Sequence, residues 1–326
     1  MTKALPLLEF TDVHVHFPIR AGFFKKEVGR IRAVNGVSFT IRKGQAFGLV
    51  GESGCGKSTV ARAALRLEEA TSGSIRYAGE HISLFTGEER IKFRKRMQAV
   101  FQDPFSSLNP RMKAGQIIAE PIRVHGVKPA GEVRAEVDRL LELVGLPLRF
   151  ANLYPHEMSG GQRQRIGIAR ALALGPELIV ADEAVSALDV SIQAQIITLL
   201  EDLQRDLGLT YLFIGHDLSV VRHICDQVAV MYLGRIVEMA PSEELFANPT
   251  HPYTRALIDA VPNPDPAAEA GRHIEPLQGE VPSPANPPSG CVFHPRCPLA
   301  TDRCRQEAPD LGPVAPEHSV ACWNAG

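Results

Sequence analysis

The run Gly51-Glu-Ser-Gly-Cys-Gly-Lys57-Ser58-Thr59 fits G-x-x-x-x-G-K-[ST], a spacing whose chemistry is phosphate capture. Gly51, Gly54 and Gly56, with Ser53 and Cys55 between them, let main-chain N–H groups curl around phosphate oxygens. The N-terminus of the following helix favours negative charge. Lys57 suits the β- and γ-phosphates, and the Ser58 hydroxyl suits a Mg²⁺ ion. The alternative, a plain glycine-rich turn, is disfavoured by context, because an apolar run, QAFGLV, precedes the loop and a helical segment follows it. A second chemical feature is Leu178-Ile-Val-Ala-Asp182-Glu183, an apolar strand ending in two carboxylates. Side chains alternate along a strand, so the pair diverges and takes two jobs, Asp182 holding the metal and Glu183 orienting or deprotonating the attacking water. Alone, such a pair is an ordinary solvated loop edge; with a phosphate loop it completes a nucleotide-hydrolysing set.

A third feature is Cys291, Cys297, Cys304 and Cys322, four of the six cysteines, in a proline-laced tail. Zinc sites usually carry close C-x₂₋₄-C pairs, and none occurs here. Four thiolates in a segment poor in regular core suggest a metal-centred fold, and four is the number a cubane cluster needs. Disulfides, zinc and incidental thiols are the competing readings. Cys55 and Cys225 read as small buried residues.

The elements that must position these groups are legible from periodicity. Val13, Val15 and Phe17 alternate with His14 and His16, and Val37, Phe39 and Ile41 alternate with Ser38 and Thr40, so the first 45 residues read as strands, with Asn35-Gly36 as a turn. The two histidines share one strand face and read as solvated polar residues. Val133, Val137, Leu140, Leu141 and Val144 fall at helical spacing. SGGQRQRIGIARALAL continues as a helix to Gly175-Pro176, and the stripe from Ile192 to Leu207 marks another, closed by Gly208. ELIVADEA, TYLFIGH and VAVMYLG add strands. Strands alternating with helices predict an α/β fold with a mainly parallel, helix-covered sheet. Sixteen of the 25 prolines follow residue 240, which predicts an irregular appendage there.

With 326 residues, 44% hydrophobic and 22% charged, the chain has room for about two globular domains. A formal charge of −2 and a pI near 6.6 argue against a general nucleic-acid binder, and the basic run Arg90 to Arg96 reads as solvated surface. MTKALPLLEF is not a secretory signal, and no apolar run is long enough to span a bilayer, so the expectation is a soluble protein in the reducing cytosol, where structural disulfides are rare. Gly22-Phe-Phe-Lys-Lys26 mixes aromatics with charge and reads as a partner contact or local packing.

Residues 8–240 resemble the nucleotide-binding subunit of an ABC transporter. Met158-Ser159-Gly160-Gly161-Gln162 is similar to that family's signature, Gln102 in FQDP to its Q-loop, Ser186-Ala187-Leu188-Asp189 to its D-loop and His216 to its switch histidine. Met158 stands where Leu is typical, and Ala184 where Pro usually follows the acidic pair; neither removes a catalytic group. The resemblance implies a P-loop cassette with a RecA-like core, an antiparallel β subdomain and a helical signature subdomain at about 105–175. The chain divides into a cassette, 1–240, and a small Cys/Pro-rich C-terminal domain, 241–326. It also implies that two subunits clamp two ATP molecules, each phosphate loop facing the other chain's signature. Ser159, Gly160, Gly161, Gln162 and Asp189 then belong to the nucleotide-binding set, His216 holds the γ-phosphate, and Gln102 touches Mg²⁺ and the water. Phe17 sits where the family stacks an aromatic on adenine, and equally suits a core strand position.

HPYTRAL at 251–257 and GEVPSPANPPSGCVFHPRCP at 279–298 resemble ATPase subunits of oligopeptide and dipeptide importers, with nickel importers as relatives. The insertion FPIRAGFFKKEVGRIRAVNGVSF resembles the second of their two non-identical ATPases. This implies a sister ATPase subunit, two transmembrane permease subunits and an extracytoplasmic peptide-binding protein. The chain would then be peripheral on the cytoplasmic face of the membrane, touching it through the permeases. Similar tails are associated with a [4Fe–4S] cluster, which places that role on the four cysteines. The rival class, a soluble ABC ATPase acting on nucleic acid, commonly fuses two cassettes, whereas this chain has one phosphate loop and one signature.

Overall fold

A computed structural model describes residues 5–186, 188–261, 277 and 279–325, and it divides into two compact units. The first comprises residues up to Ile41, Ala46–Ser83 and Gly215 onward; the second comprises Arg42–Gln45 and Leu84–Ile214.

The first unit holds an antiparallel sheet in the order β2-β1-β4-β5, from β1 (Leu8–Ala21), β2 (Lys26–Ile41), β4 (Ser72–Tyr77) and β5 (Glu80–His81). It also holds the strand series β11-β12-β10-β9-β3, where β3 (Ala46–Val50) runs parallel to β9 (Gln227–Tyr232). β10 (Arg235–Pro241), β12 (His318–Val320) and β11 (Gly312–Ala315) follow antiparallel. Every residue of β3 is buried, as its unbroken apolar run requires of a parallel strand covered on both faces. Helix α1 (Lys57–Ala64) follows β3, and α8 (Leu218–Ile224), α9 (Ser242–Ala247) and α10 (Pro252–Asp259) belong to the same unit. Stacked rings bind its core: Phe10 lies 4.5 Å from Phe39, and Phe39 lies 4.8 Å from Phe47.

Asn35-Gly36 is not a turn. Both residues lie inside β2, where Gly36 has φ 83° and the β1 pairing shifts register between Val13 and His14 and between Val15 and His16. The glycine supplies a bulge that bends the ribbon. The reversal comes instead at residues 22–25, where Lys25 N–H donates to the Gly22 carbonyl. The region after residue 240 is also more regular than its prolines predict. β12 adds to β10, pairing Glu238 with Val320, and Pro313 is accommodated because β11 is the outermost strand of its series.

The second unit is built on three parallel strands in the order β8-β7-β6: β6 (Met97–Val100), β7 (Leu178–Asp182) and β8 (Thr210–Gly215). Between β6 and β7 the chain is helical, with α3 (Pro104–Ser107), α4 (Ala114–His125), α5 (Val133–Leu143) and α6 (Gly160–Leu172). Helix α2 (Gly87–Arg96) precedes β6, and α7 (Val190–Leu207) follows β7. Gly208 ends α7 in the left-handed conformation that a residue lacking Cβ adopts without strain. Among the described residues no helix is long and apolar enough to cross a membrane.

Candidate functional site

In the first unit, the loop from Gly51 to Gly56 joins buried β3 to α1. Two of its glycines are obligatory by geometry. A Cβ on Gly51 would stand 2.1 Å from the Met231 carbonyl oxygen, and one on Gly56 would stand 2.1 Å from the Ala33 carbonyl oxygen. Their φ values of 149° and 111° add backbone strain for any other residue. Helix α1 starts with Gly56 as N-cap, without a side-chain cap and without an acidic residue in its first turn. Its positive end is thus left to an external anion. Ser53, Gly54 and Ser58 are exposed, and Thr59 is half-buried. Lys57 is 5% exposed, and its Nζ donates to the carbonyls of Gly51 at 2.7 Å and Glu52 at 3.0 Å. Burial raises the pKa of the Cys55 thiol, which keeps it protonated and unreactive.

Two further expected residues lie in this unit. His216 is exposed and directly precedes Asp217, the N-cap of α8, whose carboxylate accepts from the Ser219 and Val220 N–H groups. Phe17 is half-buried on β1, opposite Ile31. His14 and His16 both meet Asn35, at 3.2 and 3.3 Å, as polar residues of one face.

In the second unit, Asp182 ends β7 in register with Ile214. Glu183 then turns to φ 50°, its N–H donating to the Ile214 carbonyl and its own carbonyl accepting from the Ser186 N–H and hydroxyl. A left-handed non-glycine residue straight after a buried strand is a feature that alternation alone does not show. Gln102 is exposed between β6 and Asp103, which caps α3 by accepting from Phe105 N–H at 2.8 Å.

The signature segment is a reciprocal cap. Ser159 Oγ accepts from Gln162 N–H at 3.4 Å, and Gln162 Oε1 accepts from Ser159 N–H at 2.9 Å. Met158 is buried beneath it, filling the hydrophobic place expected of a leucine. Gly160 and Gly161 differ in role. A Cβ on Gly161 would meet Ile192 Cγ2 at 2.3 Å, so this glycine is needed for the approach of α6 to α7. Asp189 caps α7, accepting from Ile192 N–H at 3.0 Å and Ser191 Oγ at 2.8 Å, and the Ile192 N–H in particular lowers its pKa. Ala187, between Ser186 and Leu188, lies outside the described residues.

The four tail cysteines all belong to the first unit, and all six cysteines are free thiols. Cys291 N–H donates to the Cys304 carbonyl at 2.8 Å. Asn324 N–H meets Cys322 Sγ at 3.4 Å. Burial, the largest influence, raises the pKa values of Cys291, Cys297 and Cys322, and their neighbouring thiols act in the same direction. Yet among the described residues no group of three or more His, Cys, Asp and Glu is arranged to hold a metal ion. The thiols share a neighbourhood without forming the ligand set expected from their number.

Two residues with no chemical motif of their own grip Glu52. Tyr253 Oη accepts from Glu52 N–H at 2.8 Å, and Arg296 meets the Glu52 carboxylate with both terminal nitrogens, at 2.7 and 3.1 Å. Their only signal was position inside HPYTRAL and HPRCP.

Residues 34–186 match the ABC transporter family model, and residues 237–304 match that of the oligopeptide/dipeptide transporter C-terminal region. The chain is 55% identical to the oligopeptide transport ATP-binding protein AppF of Bacillus subtilis, over 97% of this chain and 96% of that protein. It is 57% identical to a probable peptide ABC transporter ATP-binding protein, y4tS, of Sinorhizobium fredii, over 97% of this chain and 89% of that one. Among solved structures it resembles cbiO1 of Clostridium perfringens, part of the ABC transporter complex cbiONQ, with TM-score 0.65 and 27% identity over 74% of this chain and 91% of that one. It also resembles the ATP-binding cassette MJ0796 in a dimeric post-hydrolysis state with ADP and phosphate, with TM-score 0.63 and 28% identity over 72% and 98%.

Proposed function

This chain belongs to the ATP-binding subunits of the oligopeptide/dipeptide ABC transporter family, and from that premise we propose that it binds and hydrolyses ATP to power import of short peptides. The observation that carries the reading is the loop between β3 and α1, with two glycines that admit no Cβ and a lysine drawn over the loop carbonyls. The uncapped start of α1 and the N–H groups of Gly54, Gly56, Lys57 and Ser58 surround the polyphosphate, with Cys55 and Thr59 completing the loop, and Lys57 turns to the β- and γ-phosphates. Ser58, Gln102 and Asp182 are the residues that would hold Mg²⁺, which spreads the negative charge of the transferring phosphoryl group when bound. Glu183 orients the water and takes its proton, and His216 donates to the γ-phosphate. Phe17 lies under the adenine.

The capped start of α6, with Ser159 and Gly160, faces the nucleotide of the opposing subunit, and Asp189 keeps the start of α7 in place beside it. The partners are a sister ATPase, permease subunits and an extracytoplasmic peptide-binding protein, with this chain at the cytoplasmic face. The near full-length similarity to peptide-transport ATP-binding proteins supports peptides as cargo. For Cys291, Cys297, Cys304 and Cys322 the family resemblance suggests a [4Fe–4S] cluster. The Asn324 N–H on Cys322 Sγ favours a thiolate there, but the ligand set is not formed among the described residues, so no step of ATP turnover is assigned to it. Absence of stoichiometric iron after anaerobic purification would remove it.

The decisive experiment reconstitutes the complex and measures its ATPase with and without peptide-loaded binding protein. Stimulation by loaded binding protein supports the reading. ATPase indifferent to it, with salt-sensitive binding to DNA or RNA instead, would refute it.

A further inference from the structure

The phosphate loop carries a carboxylate of its own. Glu52 is the second residue of the run GESGCGKST and its only acid. A negative charge in a cradle for a triphosphate opposes binding by Coulomb repulsion unless something cancels it. The loop cannot do so itself, because Lys57, its one cation, meets the Glu52 carbonyl and not the carboxylate. The cancelling charge comes from 244 residues away in sequence, where Arg296 makes a two-pronged pair with both carboxylate oxygens. The guanidinium is 6% exposed and the carboxylate 27%, so solvent screens the pair only partly.

Residue 52 is held at every polar group. Its N–H donates to Tyr253 Oη, its carbonyl accepts from Lys57 Nζ and from Cys55 N–H, and its carboxylate meets Arg296. The two remote anchors form one packed body. Phe293, fully buried three residues before Arg296, lies 5.4 Å from the Tyr253 ring, 5.2 Å from Tyr232 and 5.5 Å from His251. The Tyr253 and Tyr232 rings are 4.7 Å apart. Rigid aromatic packing fixes where the hydroxyl and the guanidinium stand, and they in turn fix the first turn of the loop.

We propose that Tyr253 and Arg296 are positioning residues for the phosphate loop: acting through Glu52, they hold its shape and neutralise its carboxylate, so the C-terminal segment sets affinity for the nucleotide's polyphosphate. This rests on reading Gly51–Thr59 as an ATP site. It gives HPYTRAL and HPRCP a task in the motor itself, separate from any choice of cargo. Neither residue touches the reacting atoms, so the loss falls on KM and not on kcat.

The test measures steady-state ATPase on the full chain and binding of a fluorescent ATP analogue. Arg296→Gln should raise KM for ATP about tenfold, the effect of one unneutralised, partly screened charge near the phosphates, with kcat at saturating ATP within about twofold of the parent. Glu52→Gln combined with Arg296→Gln should recover most of the lost affinity, because the unpaired carboxylate is gone, and Arg296→Lys should recover part of it. Tyr253→Phe keeps the packed ring and removes the acceptor of the Glu52 N–H; it should raise KM about threefold, and it serves if Arg296→Gln does not fold. An unchanged KM in either Arg296→Gln or Tyr253→Phe, or a double variant as impaired as Arg296→Gln alone, overturns the proposal. A parent chain that binds no ATP overturns the functional reading instead.

Discussion

Acid should loosen the C-terminal anchor through one buried imidazole. His251 caps α10 with Nδ1, which accepts the Tyr253 N–H at 3.0 Å, so the ring must stay neutral with its proton on Nε2. It is 1% exposed, and burial pushes its pKa down to about 3. The charged group beside it is Glu238, which accepts the His251 N–H at 2.9 Å and also meets His318 at 2.8 Å. The unfolded chain takes up a proton near pH 6.5, whereas the folded chain resists until about pH 3. The stability contributed by the neutral ring is therefore present above pH 6.5 and is lost progressively as pH falls. At pH 5 the unfolded state has gained about 1.5 units of protonation advantage, a loss of about 2 kcal/mol. His251→Asn keeps a capping acceptor and removes the titration. Urea unfolding followed through Trp323, the single tryptophan, at pH 8 and pH 5 should show the parent losing about 2 kcal/mol more than the variant. Equal losses in the two proteins would refute the reasoning.

Glu183→Gln should leave ATP binding intact and lower kcat at least about 100-fold, since the side chain that takes the water's proton is lost while the phosphate cradle stays; near-normal turnover would reject the role. Ser159→Arg should abolish ATP-driven pairing of subunits without weakening ATP binding to the loop, and should cost about 1 kcal/mol of stability by removing the cap on α6. Size-exclusion chromatography of the hydrolysis-deficient form with ATP checks the pairing. Gly161→Ala should destabilise the second unit, because its methyl would stand 2.3 Å from Ile192 Cγ2, and thermal melting reads this directly.

Local chemistry made much of the molecule legible in advance. The phosphate loop, the unbroken apolar strands β3 and β7, the α5 stripe and the Gly208 stop each depend on residues close in sequence, where φ preference and side-chain period act directly. Misreadings arose where a local signal has two tertiary outcomes. Asn-Gly serves a turn or a bulge, and here the pairing of β1 with β2 selected the bulge. Proline density suggested irregularity, but an outermost strand needs fewer main-chain donors, so β11 accepts Pro313.

By itself, then, the sequence determined which residues could bind phosphate, hold a metal and activate water, because those capacities lie in functional groups at short spacing. Only the tertiary structure decided how they are supported. Glu183 is bent into the left-handed region by its bond to Ile214, Gly161 is required by Ile192, and Glu52 is neutralised by an arginine 244 residues away. No periodicity encodes such partners, since a charge or a methyl finds its neighbour by where the chain folds back and not by where it stands in line.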